Sequence, residues 1–450
     1  MGVTFETDDI VLLLDNYGED SKKLHTSFLQ AGRNYPVFVI EEDGFLPEGV
    51  TSVFGFFLGN FTNAEKVPGK PRYFNQIIVP EYWEISANNS SGKVHELNKE
   101  RARIFYAEPK HKRLVKVVDW YDDRGVVRSS DHYNRCGALY ARTIFNSKGQ
   151  RINKSYFNAE GKEILMENYV TRDIILNDGD VVRIFKSKHE FATFALQKAG
   201  YAGYRVFFNT LSTSFFVSER LPENRMGDVL FWQEPVYGEI PGNMRLILNG
   251  TSTRAGKIMV QSEEAYRKLL ALGAPIEKIN KLGFIYPFIK ENQGKKEALI
   301  CTNSDNIAEL NKIVEALPEV HFSIAALTEM SSKLMSMDKY KNVSLYPGVK
   351  MKVLEELFAQ ADFYLDINHE SEIVSAVEKA FLHNHLIFAF KETLHNPRYV
   401  AQEHIFTKDK ANELILELRA VMGNTALLNE YLERQKAFAM LETKETYLGI

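Results

Sequence analysis

The sequence predicts a mixed α/β protein in which two strand–helix units flank an inserted antiparallel β-meander. Three observations predict it. Residues 121–161 hold a repeat, the chain on either side alternates apolar runs with stretches of helical periodicity, and a polar segment at 291–296 separates two such stretches. The repeat reads Tyr121-Asp122-Asp123-Arg124-Gly125, Tyr133-Asn134-Arg135-Cys136-Gly137, Phe145-Asn146-Ser147-Lys148-Gly149 and Phe157-Asn158-Ala159-Glu160-Gly161, in steps of 12 residues. Asp or Asn at the first position of a type I turn caps it with its side chain, and Gly at the fourth supplies a positive φ. Such turns join antiparallel strands, here 138–145 and 150–157 among others. A period this short excludes a helical solenoid. A meander set into an α/β chain is commonly a surface for a large ligand.

The remaining elements follow in order. Residues 9–15 (DIVLLLD) form a continuous apolar run, as in a buried parallel strand; 21–31 carry Leu24, Phe28 and Leu29 at helical spacing, and 36–40 form a second strand. A nucleotide site here would need a glycine-rich turn after the first strand. Asn16-Tyr17-Gly18-Glu19-Asp20 offers one glycine flanked by carboxylates. From residue 73 the chain turns to strands at 75–79, 102–106 and 113–120, then the repeats, then 164–170, 173–176 and 181–185, with a turn at Asn177-Asp178-Gly179. The basic run Lys110-His111-Lys112-Arg113 reads as a solvated sheet edge. Strand–helix alternation resumes with strands at 205–209, 228–232, 257–261 and 281–286 and helices at 212–219 and after Ser262, a natural N-cap. Beyond the linker, strands at 298–301, 321–327, 343–346, 363–367 and 386–390 alternate with helices at 306–316, 332–338, 350–360 and 372–382, and a polar helix at 427–442 closes the chain.

Length and composition fit this plan. The chain has 450 residues, room for about three domains. Its net charge of −4 does not indicate nucleic-acid binding. Two cysteines, Cys136 and Cys301, make neither a disulfide framework nor a zinc site, which points to a reducing cytoplasm. The first nine residues lack an apolar core, so no secretory signal is expected, and Glu6 stands where a myristoylation signal wants Ser or Thr. No apolar run reaches the roughly 18 residues of a membrane span, and peripheral membrane contact stays open. The eleven histidines are scattered; His383 and His385 flank Asn384 where a cation would suit a helix end, and His369 follows a strand.

Several longer stretches resemble known families. KIMVQSEEAYRKLLALG with KLGFIYP, and LEELFAQADFYLDINHESEIVSAVEKAF with HNPRYVAQEHIF, resemble parts of retaining GT-B glycosyltransferases. The phrases LLLDNYGEDSKKLHTSFLQAG, RYFNQIIVPEYWEI, FWQEPVYGEIPGNMRLIL, IAALTEMSSKL and YLDINHE are similar to the non-catalytic stabilising subunits of the O-GlcNAc transferases that modify serine-rich-repeat adhesins in the accessory Sec system. The resemblance implies a GT-B-like fold. Its two Rossmann-like halves would be 1–72 with 189–290 and 291–450, and 73–188 would be the extended β-sheet domain set into the N-terminal half.

It also implies a pseudo-enzyme without cofactor or catalytic residues, in the cytoplasm or at the inner face of the membrane. Its partners would be a catalytic GT-B paralogue, which uses UDP-GlcNAc, and the adhesin acceptor. Retaining GT-B enzymes place an Arg and a Lys after the first strand of the second half, because charge develops on the leaving diphosphate. This chain has Thr302-Asn303-Ser304-Asp305-Asn306 there, and Lys312 reads as a solvated helix face. Against this, Glu370 and Glu378 keep the Glu-x7-Glu spacing in which the first carboxylate approaches the donor sugar and the second binds ribose hydroxyls. They are candidates for a vestigial donor pocket, although Glu is also common at helix starts. An active retaining transferase using UDP-GlcNAc is the alternative reading, and a free-standing peptide-binding module is a third.

Overall fold

The computed structural model describes residues 9–59, 69–223 and 227–450; the opening residues read above as lacking a signal lie, up to residue 8, outside them. The chain forms two compact units, Met1–Phe28 with Gly32–Leu282, and Gly283–Ile450 with Leu29–Ala31.

The first unit contains two sheets. A seven-stranded parallel sheet runs in the order Ile279–Lys281, Ala255–Val260, Asp228–Trp232, Arg205–Phe208, Ile10–Leu14, Val37–Val39, Val50–Ser52. Its strands are apolar and buried on both faces, as parallel strands covered by helices must be. The second sheet has ten antiparallel strands in sequence order, from Trp83–Ala87 to Val181–Phe185.

The repeat builds the middle of this meander. Gly125, Gly137, Gly149 and Gly161 have φ of 78°, 80°, 75° and 76°. The Asp122 carboxylate accepts from the amides of Arg124 and Val126, and the Asn134 and Asn146 side chains accept at the same offsets in their turns. The pairing register shifts beside each turn, as expected where a type I turn is followed by a left-handed glycine.

The meander shares a core with the parallel sheet. Phe54 stacks on Tyr156 with centroids 4.7 Å apart, and the Tyr156 hydroxyl donates to Glu167 at 2.6 Å. Lys188 bridges Glu41 at 2.7 Å and Glu167 at 3.2 Å. Tyr140, Leu165, Ile174 and Leu176 complete the same buried cluster.

The second unit holds a six-stranded parallel sheet in the order Val343–Tyr346, His321–Ala326, Glu297–Thr302, Phe363–Asp366, Leu386–Phe390, Ile405–Phe406. The polar segment 291–296 is firmly held here. The buried Asp362 carboxylate accepts from the amides of Gln293 and Lys295 at 3.0 and 2.8 Å and from Lys290 at 2.5 Å.

Several elements differ from expectation. The strand read at 75–79 is a 3-10 turn, Phe74–Gln76, followed by Ile77, which packs on the meander's face with Phe74 and Val79. Its apolar residues cover a sheet instead of joining one. Strands Trp83–Ala87 and Ser91–Glu96, polar and short, were not read from the pattern. The strand read at 281–286 stops at Lys281; beyond it Phe284 pairs with the C-terminal segment, its amide donating to Met440 and its carbonyl accepting from Glu442. The basic run lies in a 3-10 turn, Lys110–Lys112, between two inner strands and not at a sheet edge. The helices read from 306 and 372 begin at Leu310 and Ala376 because Glu309 before the one, and Val374 and Ser375 before the other, take a left-handed backbone that no right-handed helix can include.

Candidate functional site

In open α/β sheets, ligand chemistry gathers beyond the carboxyl ends of the strands. In the second unit that edge follows Thr302 and Asp366. The Thr302 hydroxyl donates to Asn368 Oδ1 at 2.8 Å, and Asp305 accepts from Ser331 at 2.7 Å, which lowers its pKa. Residues 302–306 thus engage neighbouring hydroxyls and amides and bring no cation to the edge. Lys312 is exposed on the helix Leu310–Ala316.

Glu370 lies on the segment joining strand Phe363–Asp366 to helix Ala376–Leu382, and Glu378 lies in that helix. Glu370 is exposed, and its backbone carbonyl accepts from Asn368 Nδ2 at 3.1 Å and His395 Nε2 at 2.5 Å. It precedes the helix by six residues, so a preference of helix starts for Glu does not account for it. Glu378 is in the first turn of the helix, and Tyr399 donates to its Oε1 at 2.9 Å. Burial, with Glu378 beside it, pushes the Tyr399 hydroxyl pKa up. Glu372 caps the helix by accepting from the Val377 amide at 2.8 Å. Between these carboxylates Val374 and Ser375 take φ of 48° and 52°, a left-handed backbone that is strained for a β-branched residue.

His395 was not singled out from sequence, and it organises the site. Its Nδ1 lies 2.5 Å from Asp366 Oδ1, and its amide donates to Asp366 Oδ2 at 2.8 Å. The Asp366 hydrogen bond, opposed by burial, raises its pKa to about 9, so the ring is an imidazolium at neutral pH. That cation is committed to Asp366 and to the Glu370 carbonyl. His369 sits at the same edge, its amide donating to Asn306. The cation expected at His385 is absent: the ring is buried and its pKa falls to about 3 through desolvation.

In the first unit, the 16–20 segment lacks a phosphate cradle. Gly18 donates to Asn16 Oδ1 at 2.9 Å, and helix Glu19–Gln30 starts at a carboxylate. What sequence reasoning missed is the residue that follows three of the later strands: Asn209, Gln233 and Gln261 all carry side-chain amides. Their placement immediately after apolar runs was the available signal. On the meander, the last strand is an outer edge whose Val181, Val182 and Ile184 are exposed. Among the described residues, no cluster could hold a metal ion and no helix is long and apolar enough to cross a membrane.

Family profiles match four stretches: the GtfB N-terminal domain at 11–57, the GtfB middle domain at 83–186, the GtfB third domain at 188–272, and the GftB/GlyA-F C-terminal domain at 298–435. The chain is 41% identical to the UDP-N-acetylglucosamine–peptide N-acetylglucosaminyltransferase stabilizing protein GtfB of Streptococcus gordonii, over 95% of this chain and 94% of that protein. It is 40% identical to the protein of the same name from Streptococcus pneumoniae serotype 4, over 98% and 100%. A solved chain in the GtfA/B complex bound to UDP and GlcNAc is similar at 39% identity with a TM-score of 0.90, over 98% of both chains. The pneumococcal O-GlcNAc transferase GtfA shares the fold alone, at 11% identity and a TM-score of 0.55.

Proposed function

The chain belongs to the GtfB family, the stabilising proteins of peptide N-acetylglucosaminyltransferases, and we propose that it is the non-catalytic co-subunit of such an enzyme. In this reading it stabilises and activates a catalytic O-GlcNAc transferase of related fold and helps hold a serine-rich-repeat adhesin for O-glycosylation. Residues 1–72 with 189–290 and residues 291–450 are then the two Rossmann-like halves of a GT-B arrangement, and 73–188 is the inserted sheet. The complex works in the cytoplasm, or at the inner face of the membrane.

One observation carries the reading: identity of 41% across nearly the full length of a stabilising protein. The chemistry of the second unit supports it. A diphosphate leaving group needs committed cations, and the loop 302–306 has none. The His395 cation at that edge is neutralised by Asp366. Glu378 is engaged by Tyr399, which fits a remnant of a donor pocket. Stabilisation of the partner then follows from mass action, since a subunit that binds only the folded partner shifts its folding equilibrium.

The test is transfer from UDP-GlcNAc to a serine-rich peptide by this chain alone, the catalytic subunit alone, and the two mixed. Strong activity in the mixture only is expected, unchanged within about twofold by Glu370→Gln. Transfer by this chain alone, abolished by Glu370→Gln, would establish the second reading, a retaining transferase, which the Glu370/Glu378 spacing favours.

A further inference from the structure

Three neighbouring strands of the first parallel sheet are followed at their carboxyl ends by a side-chain amide: Asn209 after Arg205–Phe208, Gln233 after Asp228–Trp232, Gln261 after Ala255–Val260. The three amides join in one row. Asn209 Nδ2 donates to Gln233 Oε1 at 2.9 Å, and Gln233 Nε2 donates to Gln261 Oε1 at 2.9 Å. The row is anchored at one end, where Asn209 Oδ1 accepts from the Asp15 amide at 2.9 Å and Asn209 Nδ2 also reaches Ser21 at 3.1 Å. A further bond from Gln233 Nε2 to the Asp20 carbonyl at 3.1 Å fixes the middle. At the other end a donor is left over. Gln261 is 3% exposed, and its Nε2 has no hydrogen-bond partner among the described residues. A buried donor without an acceptor is costly, and such orphans in a native fold call for a ligand or another explanation.

The row starts at the point where the strand order reverses, because Ile10–Leu14 pairs with Val37–Val39 on one side and Arg205–Phe208 on the other. That is where ligands of doubly wound sheets bind. The neighbouring groups define the ligand's chemistry. Both the Asp15 and Glu234 carboxyls are raised above their usual range, Asp15 by burial and Glu41, Glu234 by burial and Asp15. Ser212 and Thr210 add hydroxyls, and the Ser212 hydroxyl donates to Asp15 at 3.4 Å. Lys188, the cation near Asp15, is already shared by Glu41 and Glu167. Carboxylates without a spare cation reject phosphates and acidic segments. Amides and hydroxyls suit a neutral ligand dense in O–H and N–H groups.

We infer that the Asn209–Gln233–Gln261 row, with Asp15 and Glu234, is a binding edge for a neutral, hydroxyl-rich segment, either the bare serine-rich acceptor or the sugars attached to it. This deepens the acceptor-holding part of the proposed function and rests on it. Gln261 Nε2 supplies a donor for a carbonyl or hydroxyl oxygen, and the carboxylates accept from hydroxyl and amide protons.

The experiment is fluorescence anisotropy with a labelled serine-rich peptide, and with the same peptide carrying GlcNAc. Each is titrated into the full chain, alone and assembled with the catalytic subunit. Gln233→Ala and Glu234→Gln should each weaken binding about three- to tenfold, the range of one or two lost hydrogen bonds, while assembly with the partner is retained. Glu234 is exposed, so its variant keeps the test decisive if Gln233→Ala folds poorly. Weakening seen only with the glycosylated peptide assigns the sugar hydroxyls; weakening seen with the bare peptide assigns the serine side chains. Unchanged binding in Glu234→Gln and in folded Gln233→Ala overturns this edge and leaves the co-subunit reading intact. If the wild-type chain binds neither peptide, alone or in the complex, the acceptor-holding part of that reading falls, and this edge with it.

Discussion

Arg254 and Asp228 give the sharpest stability prediction. Both side chains are fully buried in the first unit. Arg254 grips Asp228 with two nitrogens, Nε to Oδ2 at 2.8 Å and Nη2 to Oδ1 at 3.0 Å. Its remaining donors serve the carbonyls of Tyr204, at 2.6 Å, and Pro222. Asp228 also accepts from the Val206 amide at 2.8 Å and the Ser218 hydroxyl at 2.6 Å. The pair therefore fastens three parallel strands and the helix Thr213–Arg220 together. Arg254→Met removes the cation and leaves a buried carboxylate with two neutral donors. Breaking a buried pair this way costs about 3–5 kcal/mol, because the surviving charge stays desolvated. Asp228→Leu should cost a similar amount. The double variant removes both charges and leaves only unpaired backbone and hydroxyl groups, so its loss should be no larger than either single loss. The coupling energy should then be about 3 kcal/mol or more. Urea unfolding followed by tryptophan fluorescence reports this, since Trp232 is in one of the fastened strands. Additive losses, or single losses under about 1 kcal/mol, would refute the reasoning. Adding the catalytic subunit at about 100 times its Kd should restore roughly 2.7 kcal/mol to Arg254→Met by mass action.

Two further predictions concern pH and the repeat turns. Burial lowers the His385 and His404 pKa values to about 3 and 4, against 6.5 for a free imidazole. The unfolded chain therefore takes up protons that the folded unit refuses, and stability present above pH 6.5 is lost as pH falls toward 4; the urea midpoint should drop across that window. His395 acts in the opposite sense, its contribution complete below 6.5 and lost as pH rises through about 9, so His395→Ala should flatten the alkaline limb of the same curve. Among the repeat glycines, a Cβ at Gly125 meets nothing within 4 Å, whereas one at Gly137 would lie 2.5 Å from the Lys70 carbonyl oxygen. Gly125→Ala should cost about 1 kcal/mol for its left-handed backbone alone, and Gly137→Ala clearly more, as thermal unfolding will show.

The meander was legible because its turns are chemically local. An Asp or Asn that bonds its own next amides and a left-handed glycine need no tertiary partner, so four turns could be read in register. The parallel strands were legible as apolar runs, since burial on both faces leaves no other composition. Failures came where neighbours decide. Residues 75–79 look like a strand because Ile77, Ile78 and Val79 are apolar, yet Ile77 and Val79 lie over a sheet built by others. Residues 282–286 look like a strand continuation, but a Cβ at Gly283 would lie 1.6 Å from the Met440 carbonyl oxygen, an approach that commits that backbone to the C-terminal segment. The Glu370/Glu378 spacing could be read, but not what holds each group, because His395 and Tyr399 come from a later loop.

What the Glu370 carbonyl and the Glu378 carboxylate touch favours a structural role over a chemical one. A donor-binding carboxylate must be free to accept from ligand hydroxyls, and Tyr399 takes Glu378 from within the chain. A transferase edge must present positive charge to a diphosphate, and the imidazolium of His395 is turned to Asp366 and the Glu370 carbonyl, where it ties the end of a strand to the loop beyond it. The same loop keeps Val374 and Ser375 in a strained backbone, held by the Glu372 cap on Val377 and by the Ala376 amide donating to Ile373. Strain of this kind is retained where surrounding bonds over-determine it. Here those bonds all lead to neighbouring residues of the chain, so the edge behaves as a built-in brace. On the opposing side of the comparison, the amide row of the first unit keeps a buried donor unspent. That unspent donor at Gln261 is the capacity that acceptor holding by the first unit would draw on.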